Sequence, residues 1–561
     1  MVEFGSLDTS RANTAVMPSS PSAWLMTRFS AWMGLCAAIA LLWTSALDHP
    51  LYPSDEGRYG SIAARMAESG DWLVPQFRGQ AHLTKPPLTY WLQGIGVLAF
   101  GRTELAVRLP SLLASTVVLI VIFTSVGRIR GRTAATCAAM LYGILPLGLA
   151  FGRLGSTDAI LNCWWTIALV AGYRAVTERS RAAAAIFWIA IALAALTKGP
   201  LALGPIGIVV FWRLLAGDVG SLRWLRPAWG VPLAIMPLAT WAIAITANEP
   251  ALLTTWWNES IGRATGDLGK RDVWWYFVPI FLAGMFPASA MLTLPGFNLS
   301  WRAAWQRTRD GSFESLCVVG VVLPLLVFSV AEGKLPSYIL PVGPSLAMLV
   351  GVMLATRWMA DDAASQRAPD VRITVLIVCI VVAIAIPLAF DRFELPSELR
   401  AASFLFILPA VAVGWLALVW RNLPQRRRAF ALAWAGFAAA WLVALQVENV
   451  LLERESPQQL ARALSRIAGD ESDVFVVGNS DPTRGFYRRG VVRDLGGNVA
   501  ECTVREASWT TSVAIFTDDQ WPAYLRDHPR NATFVEPLFY GSSFYRRPYV
   551  ICRVRRMPEQ P

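Results

Sequence analysis

Charge is scarce in this chain: 16% of its 561 residues are Asp, Glu, Lys or Arg, and three are His. Globular soluble domains carry about 25% charged residues, so a water-facing surface of this size has too few of them. Cysteine is sparse as well, seven in all with no CxxC pair, and His49, His82 and His528 stand far apart. That excludes a disulfide scaffold and a zinc-binding spacing. The chain lacks a glycine period and any long polar tract, which removes collagen-like and disordered classes. It also lacks an evident internal repeat and the paired broken apolar segments of inverted-repeat transporters.

What is abundant is apolar mass. Hydrophobic residues make up 55% of the chain, with 25 Trp and 26 Phe, and mean hydropathy is +0.44. This is far more than one core needs and describes a polytopic membrane protein. A helix crosses the bilayer in about 20 residues. Suitable runs are Phe29–Ala46, Val107–Val126, Thr133–Phe151, Thr157–Ala175, Ala183–Thr197, Leu201–Leu215 and Trp229–Ala247. Trp274–Leu294, Ser315–Ala331, Tyr338–Thr356, Ile373–Phe390, Ala401–Trp420 and Phe430–Val447 bring the expectation to about thirteen.

The formal net charge of +11 has three readings: nucleic acid, anionic lipid or membrane topology. Position decides among them. Arg128, Arg130 and Arg132, then Arg174, Arg179 and Arg181, then Arg213, Arg223 and Arg226, and Arg302, Arg307 and Arg309 fill the gaps between apolar runs, as do Arg421 and Arg426 to Arg428. This is the positive-inside pattern, with no nucleic-acid partner. Leu88–Gly101 is too short for a span, and counting it would move the Arg128 cluster outside. Pro86–Phe100 is therefore expected to be a re-entrant or interfacial helix, with Tyr90 and Trp91 at headgroup level.

An inside N-terminus and an odd number of spans put the C-terminal region outside. The expected organisation is a cytoplasmic tail at 1–27, without a signal-peptide pattern, and a membrane domain at 28–450 with a long first outer loop at 47–106. Residues 451–561 form a small periplasmic α/β domain: a helix over Ser456–Ala468 and strands over Asp473–Gly478, Ser512–Phe516, Ala532–Leu538 and Tyr549–Val554. Cys36, Cys137, Cys163, Cys317 and Cys379 lie in apolar runs and read as small core residues. Whether Cys502 and Cys552 pair is left open.

The same topology sorts the unusual polar residues to the outer face. The first outer loop carries Ser54-Asp55-Glu56-Gly57-Arg58-Tyr59, Gly70-Asp71-Trp72 and Lys85-Pro86-Pro87. Later outer loops offer Arg153 and Asp158, Lys198-Gly199-Pro200, Trp256 to Arg271, and Glu332 to Tyr338. A carboxylate here suits a general base acting on a hydroxyl, and Lys and Arg suit the charge on a departing phosphate at headgroup depth. Each residue also has a plain alternative. Asp55 and Glu56 fit the first turn of a helix, Asp158 a helix cap, Arg58 and Lys85 snorkelling cations, Lys198 a turn, and the tryptophans an interface belt.

Taken together, Asp55-Glu56 after the first span, the Gly-Asp-Trp and Lys-Pro-Pro elements, Asp158 and the thirteen-span architecture resemble a known family. The chain is similar to the GT-C glycosyltransferases of the aminoarabinose transferase and protein O-mannosyltransferase group. The resemblance implies a GT-C fold and transfer of a sugar from a polyprenyl phosphate to an acceptor on the periplasmic face of the inner membrane. The acceptor is lipid A or another envelope glycolipid, with a protein hydroxyl as the alternative; a transporter of lipid-linked sugar is a more distant one. It implies catalytic roles for Asp55, its neighbour Glu56 and Asp158. Arg58, Tyr59, Lys85, Lys270, Arg271, Lys334 and Tyr338 would bind the donor and its phosphate. No cofactor is required, no metal residues are assigned, and a divalent ion is left open. One departure stands out: His82-Leu83-Thr84-Lys85 replaces the Phe-Glu-Lys of aminoarabinose transferases, so a neutral sugar is an alternative to an amino sugar.

Overall fold

The computed structural model describes residues 21–44, 46, 50–52, 55–77, 80–247, 249–265, 272–292, 309–358, 430, 433–442, 444–445 and five strands between 474 and 555. Helix α1 (Pro21–Thr44) leads to α2 (Asp55–Ser69). A short antiparallel ribbon, β1 (Gln76–Phe77) with β2 (Gln80–Ala81), precedes α3 (Leu88–Phe100) and α4 (Glu104–Arg130). Then come α5 (Arg132–Gly143), α6 (Pro146–Gly152), α7 (Thr157–Thr177), α8 (Arg181–Lys198), α9 (Leu203–Leu215), α10 (Pro227–Thr246) and α11 (Leu252–Thr265). The described helices continue with α12 (Phe277–Gly284), α13 (Ala288–Met291), α14 (Phe313–Val330) and α15 (Val342–Met353).

Several helices begin where a short polar side chain takes over an orphan backbone N–H. Thr103 accepts from the amide of Ala106 at 3.2 Å, Ser156 from Asp158 at 3.3 Å, Ser180 from Ala183 at 3.2 Å and Ser312 from Ser315 at 3.1 Å. By length and composition, five described segments are able to cross a bilayer, or six if α5 and α6, bent by 66°, form one span. One of the five, 181–215, doubles back at Gly199, whose φ of 59° suits a residue without a Cβ. Lys198 meets Asp158 at the start of α7, while Phe187 lies beside Gly172 further along it, so α8 runs against α7. Gly204 lies against Trp165 and Val209 against Gly172, so α9 runs with α7.

Several expectations change here. Trp274–Leu294 is two short helices, α12 and α13, interrupted before Pro287. Tyr338–Thr356 opens with a 3₁₀ turn over Pro336–Ile339 before α15. Cys36 is exposed, whereas Cys137, Cys163 and Cys317 are buried as expected. Tyr90 is fully buried within the protein, and the Trp91 indole donates to the carbonyl of Trp72 at 2.7 Å. Tight packing of α3 explains this burial: a Cβ on Gly96 would come 2.4 Å from the Ala106 carbonyl oxygen. The other side of α3 remains apolar and exposed, through Ile95, Leu98 and Phe100. The expected spans at 373–390 and 401–420, the helix at 456–468, Cys379 and Cys502 lie outside the described residues.

The main core joins α1, α4, α5 and α15, and a second cluster joins α7, α8 and α9. Small residues permit this closeness, as in membrane helix packing generally: a Cβ on Gly351 would meet Ala138 at 2.5 Å. Near the C-terminus, β3 (Val474–Val477), β4 (Val492–Asp494), β5 (Thr511–Thr517), β6 (Val535–Ser542) and β7 (Pro548–Arg555) form one mixed sheet in the order β4-β3-β5-β7-β6. β3 pairs parallel to β4 and β5, and β7 pairs antiparallel to β5 and β6.

Candidate functional site

The site grows from the first turn of α2. Asp55 and Glu56 both occupy that turn, where the helix dipole favours acids, yet the structure gives them opposite surroundings. The Asp55 side chain is 48% exposed and pairs with Arg58 one turn on. Glu56 is 2% exposed. Its Oε1 accepts from Arg108 Nε at 2.8 Å and the Gly155 amide at 2.8 Å, and its Oε2 from Arg108 Nη2 at 2.9 Å and the Tyr52 amide at 2.9 Å. Arg108 also donates to the carbonyls of Ala46 and Pro50. A carboxylate so fully bonded braces three segments and has little left for a substrate, so Glu56 positions Asp55.

Around Asp55 the environment is polar on one side and aromatic on the other. Burial opposes the charge on Arg58, but Asp55 and Tyr59 outweigh it and hold its pKa above the ordinary value. Burial pushes the Tyr59 hydroxyl well up, and the nearby Asp55 and Tyr90 add to this, so Tyr59 stays protonated as a donor. Tyr59 and Tyr90 meet edge to face, with centroids 5.6 Å apart. His82 caps the other edge of Tyr90, 6.2 Å away, and lies 2.8 Å from the Thr84 hydroxyl. Lys85 follows in the turn before α3, half-buried, and Pro86 and Pro87 fix the direction of that turn.

Asp158 enters from the opposite side. Ser156 takes the cap of α7, which leaves the Asp158 carboxylate for Lys198 at 2.6 Å. Both side chains are about one-tenth exposed. The Lys198 ammonium lies 5.6 Å from the centre of the Tyr338 ring. Asp158 contributes to the electrostatic field at Tyr59, together with Asp55 and Arg58, so the two acidic corners share one region. Arg153, in the turn between α6 and α7, reaches the Tyr52 hydroxyl at 3.3 Å. Burial, with Arg108 nearby, pushes its pKa down to about 10, so it remains charged at neutral pH.

Not every expected residue joins this region. Lys334 is 2% exposed, and its ammonium donates to the carbonyl of Asp272 at 3.1 Å while its amide donates to that side chain. It ties two loops together. Lys270 and Arg271 lie outside the described residues. Asp71 is a turn former, accepting from the amides of Leu73 and Val74. Trp256 stacks on Trp241, whereas Trp257, Trp274 and Trp275 are exposed. Among the described residues, no three His, Cys, Asp or Glu side chains converge as metal ligands.

Sequence reasoning overlooked Arg108 and gave Lys198 only a turn. An arginine five residues into an apolar helix was the available signal, because an ionisable group at that depth needs a partner.

Residues 84–246 match the family described as dolichyl-phosphate-mannose-protein mannosyltransferase. An undecaprenyl phosphate-alpha-4-amino-4-deoxy-L-arabinose arabinosyl transferase of Aeromonas salmonicida is 34% identical over 309 residues, covering 54% of this chain and 55% of that protein. With that relative, then, the chain shares about half its length. A protein of the same name from Pseudomonas aeruginosa is 29% identical, covering 79% of this chain and 81% of the relative. The crystal structure of ArnT from Cupriavidus metallidurans bound to undecaprenyl phosphate superposes with a TM-score of 0.76 at 21% identity, covering 95% of this chain and 98% of that one.

Proposed function

The chain has the GT-C membrane fold of the aminoarabinose transferases, and we propose that it is a glycosyltransferase. It moves a sugar from undecaprenyl or a similar polyprenyl phosphate to an acceptor at the periplasmic face of the inner membrane. The observation that carries this reading is the half-exposed Asp55 beside Arg58, together with the nearly buried Asp158–Lys198 pair at the start of α7.

The residues divide the work according to their chemistry. Asp55 takes the proton of the acceptor hydroxyl as its oxygen attacks the anomeric carbon from the face opposite the phosphate, so configuration inverts. The carbon–oxygen bond to the phosphate breaks, and its electron pair leaves with the polyprenyl phosphate. Lys85 and Arg58, with Lys270 or Arg271 from the fourth outer loop, hold that anion. Tyr59, which remains protonated, donates to the donor, and Asp158 orients the sugar. Positive side chains balance the charge on the phosphate, so the reading calls for no metal or organic cofactor.

The relatives are named for aminoarabinose, while Thr84, bonded to His82, puts a neutral pair beside Lys85; a neutral sugar is the alternative donor group. An envelope glycolipid such as lipid A is the preferred acceptor. The match of residues 84–246 to a protein mannosyltransferase family favours a protein hydroxyl as the second reading. The test is mass spectrometry of envelope glycolipids and periplasmic proteins from cells making the wild type or Asp55→Asn at equal levels. A sugar-sized mass present only with the wild type identifies both sugar and acceptor; identical profiles overturn the reading.

A further inference from the structure

The cleft beside Asp158 contains a hydrogen-bond donor that the transfer chemistry does not use. Trp165 lines this cleft and is 2% exposed, and its indole nitrogen is buried without a hydrogen-bond partner. A buried indole N–H ordinarily finds an acceptor. The position of the ring is fixed from behind: a Cβ on Gly204 would stand 1.9 Å from the indole's six-membered ring, so only glycine leaves it room. Across the cleft, Lys198 engages Oδ1 of Asp158 at 2.6 Å, and Oδ2 takes no bond from the described residues. Phe328 and Tyr338 supply aromatic walls. Only about 10 Å³ of the cleft can hold the centre of a water molecule, which is room for a single oxygen.

These features select a ligand group. A hydroxyl accepts from an N–H and donates to a carboxylate through the same atom. A carboxylate or phosphate is too large and would face Asp158, and an apolar group would leave the indole unpaired.

We propose that this cleft is a hydroxyl subsite for the sugar being transferred: Trp165 donates to one sugar hydroxyl and Asp158 accepts from it. The assignment rests on the sugar-transfer reading above and adds the part of the sugar that the protein recognises.

The experiment uses the full chain in proteoliposomes with lipid A and an acceptor peptide. Undecaprenyl phosphate aminoarabinose and undecaprenyl phosphate mannose serve as donors, each beside analogues lacking one hydroxyl. Trp165→Phe keeps the aromatic ring and removes the N–H. It is expected to lower kcat/KM about tenfold on the donor that the wild type uses, with the melting temperature unchanged or raised. On the analogue lacking the recognised hydroxyl, the variant and wild type should be equal. Activity of Trp165→Phe within twofold of wild type, or the same loss on every analogue, overturns the subsite and leaves the transferase reading standing. No transfer by the wild type from either donor overturns that reading and the subsite with it. Should Trp165→Phe fail to fold, the wild-type series decides alone: one deletion costing about a hundredfold or more supports the subsite, and a flat series overturns it.

Discussion

Glu56 and Arg108 stand 52 residues apart in sequence and meet through two hydrogen bonds in a pair that is almost wholly buried, 2% and 0% exposed. Removing one member strands the other in a low-dielectric interior, at a cost of about 3–5 kcal/mol. Arg108→Ala is therefore expected to lower the thermal midpoint of the purified protein sharply, and Glu56→Gln to lower it less because the amide oxygen still accepts. Melting curves in detergent check this. Wild-type stability in Arg108→Ala would show that the pair does not brace the fold.

Asp55, its neighbour in the chain, should respond in the opposite sense. It is half-exposed and, among the described residues, pairs only with Arg58 one turn on, so Asp55→Asn should melt like the wild type. Transfer should fall by about 10²–10⁴, the usual contribution of a general base. A turnover assay beside a melting curve separates this from the behaviour of Glu56→Gln.

The Asp158–Lys198 pair is one-tenth exposed at both ends, which places it between surface pairs of little worth and buried ones. Asp158→Asn and Lys198→Met should each impair transfer, and the double variant should be less impaired than the sum. A coupling of about 1–3 kcal/mol is the expected result of the cycle. Additive losses would mean that the two residues act separately.

Lys85 is assigned to the departing phosphate. Lys85→Met should raise the KM for donor or lower kcat by at least tenfold, while Lys85→Arg retains part of the activity because the charge persists. Kinetics across a range of donor concentrations test it, and equal KM and kcat in Lys85→Met would remove the residue from the site.

On the proposed assignment of the phosphate to Lys85 and Arg58, chelation has a definite expected outcome. EDTA should leave transfer within twofold of the untreated protein. A loss restored by one divalent ion would assign the phosphate to that ion instead.

Much of the scaffold was legible because it follows local rules. Apolar runs end at cap residues such as Ser156 and Ser180. Four of the described C-terminal strands overlap the segments expected to be strands, while β4, three residues long, offers no pattern to read. Asp55 and Asp158 were legible as candidates from their motifs, but the contrast in burial between Asp55 and Glu56 was not. Adjacent acids in one helical turn look alike in sequence, and only the arrival of Arg108 and the Gly155 amide from distant segments buries one of them. The burial of Tyr90 was hidden for a similar reason: hydropathy does not register that Gly96 lets α3 close onto the Ala106 backbone.

The bracing of Glu56 also sets an order for biogenesis. The ribosome delivers Glu56 first, Arg108 52 residues later, and Gly155 only after two further helices have emerged. Until then the acid and the guanidinium must remain hydrated at the membrane edge. Residues 56 to 155 thus form one assembly unit, and a nascent chain arrested before Gly155 still lacks the last bond that holds Asp55 in place.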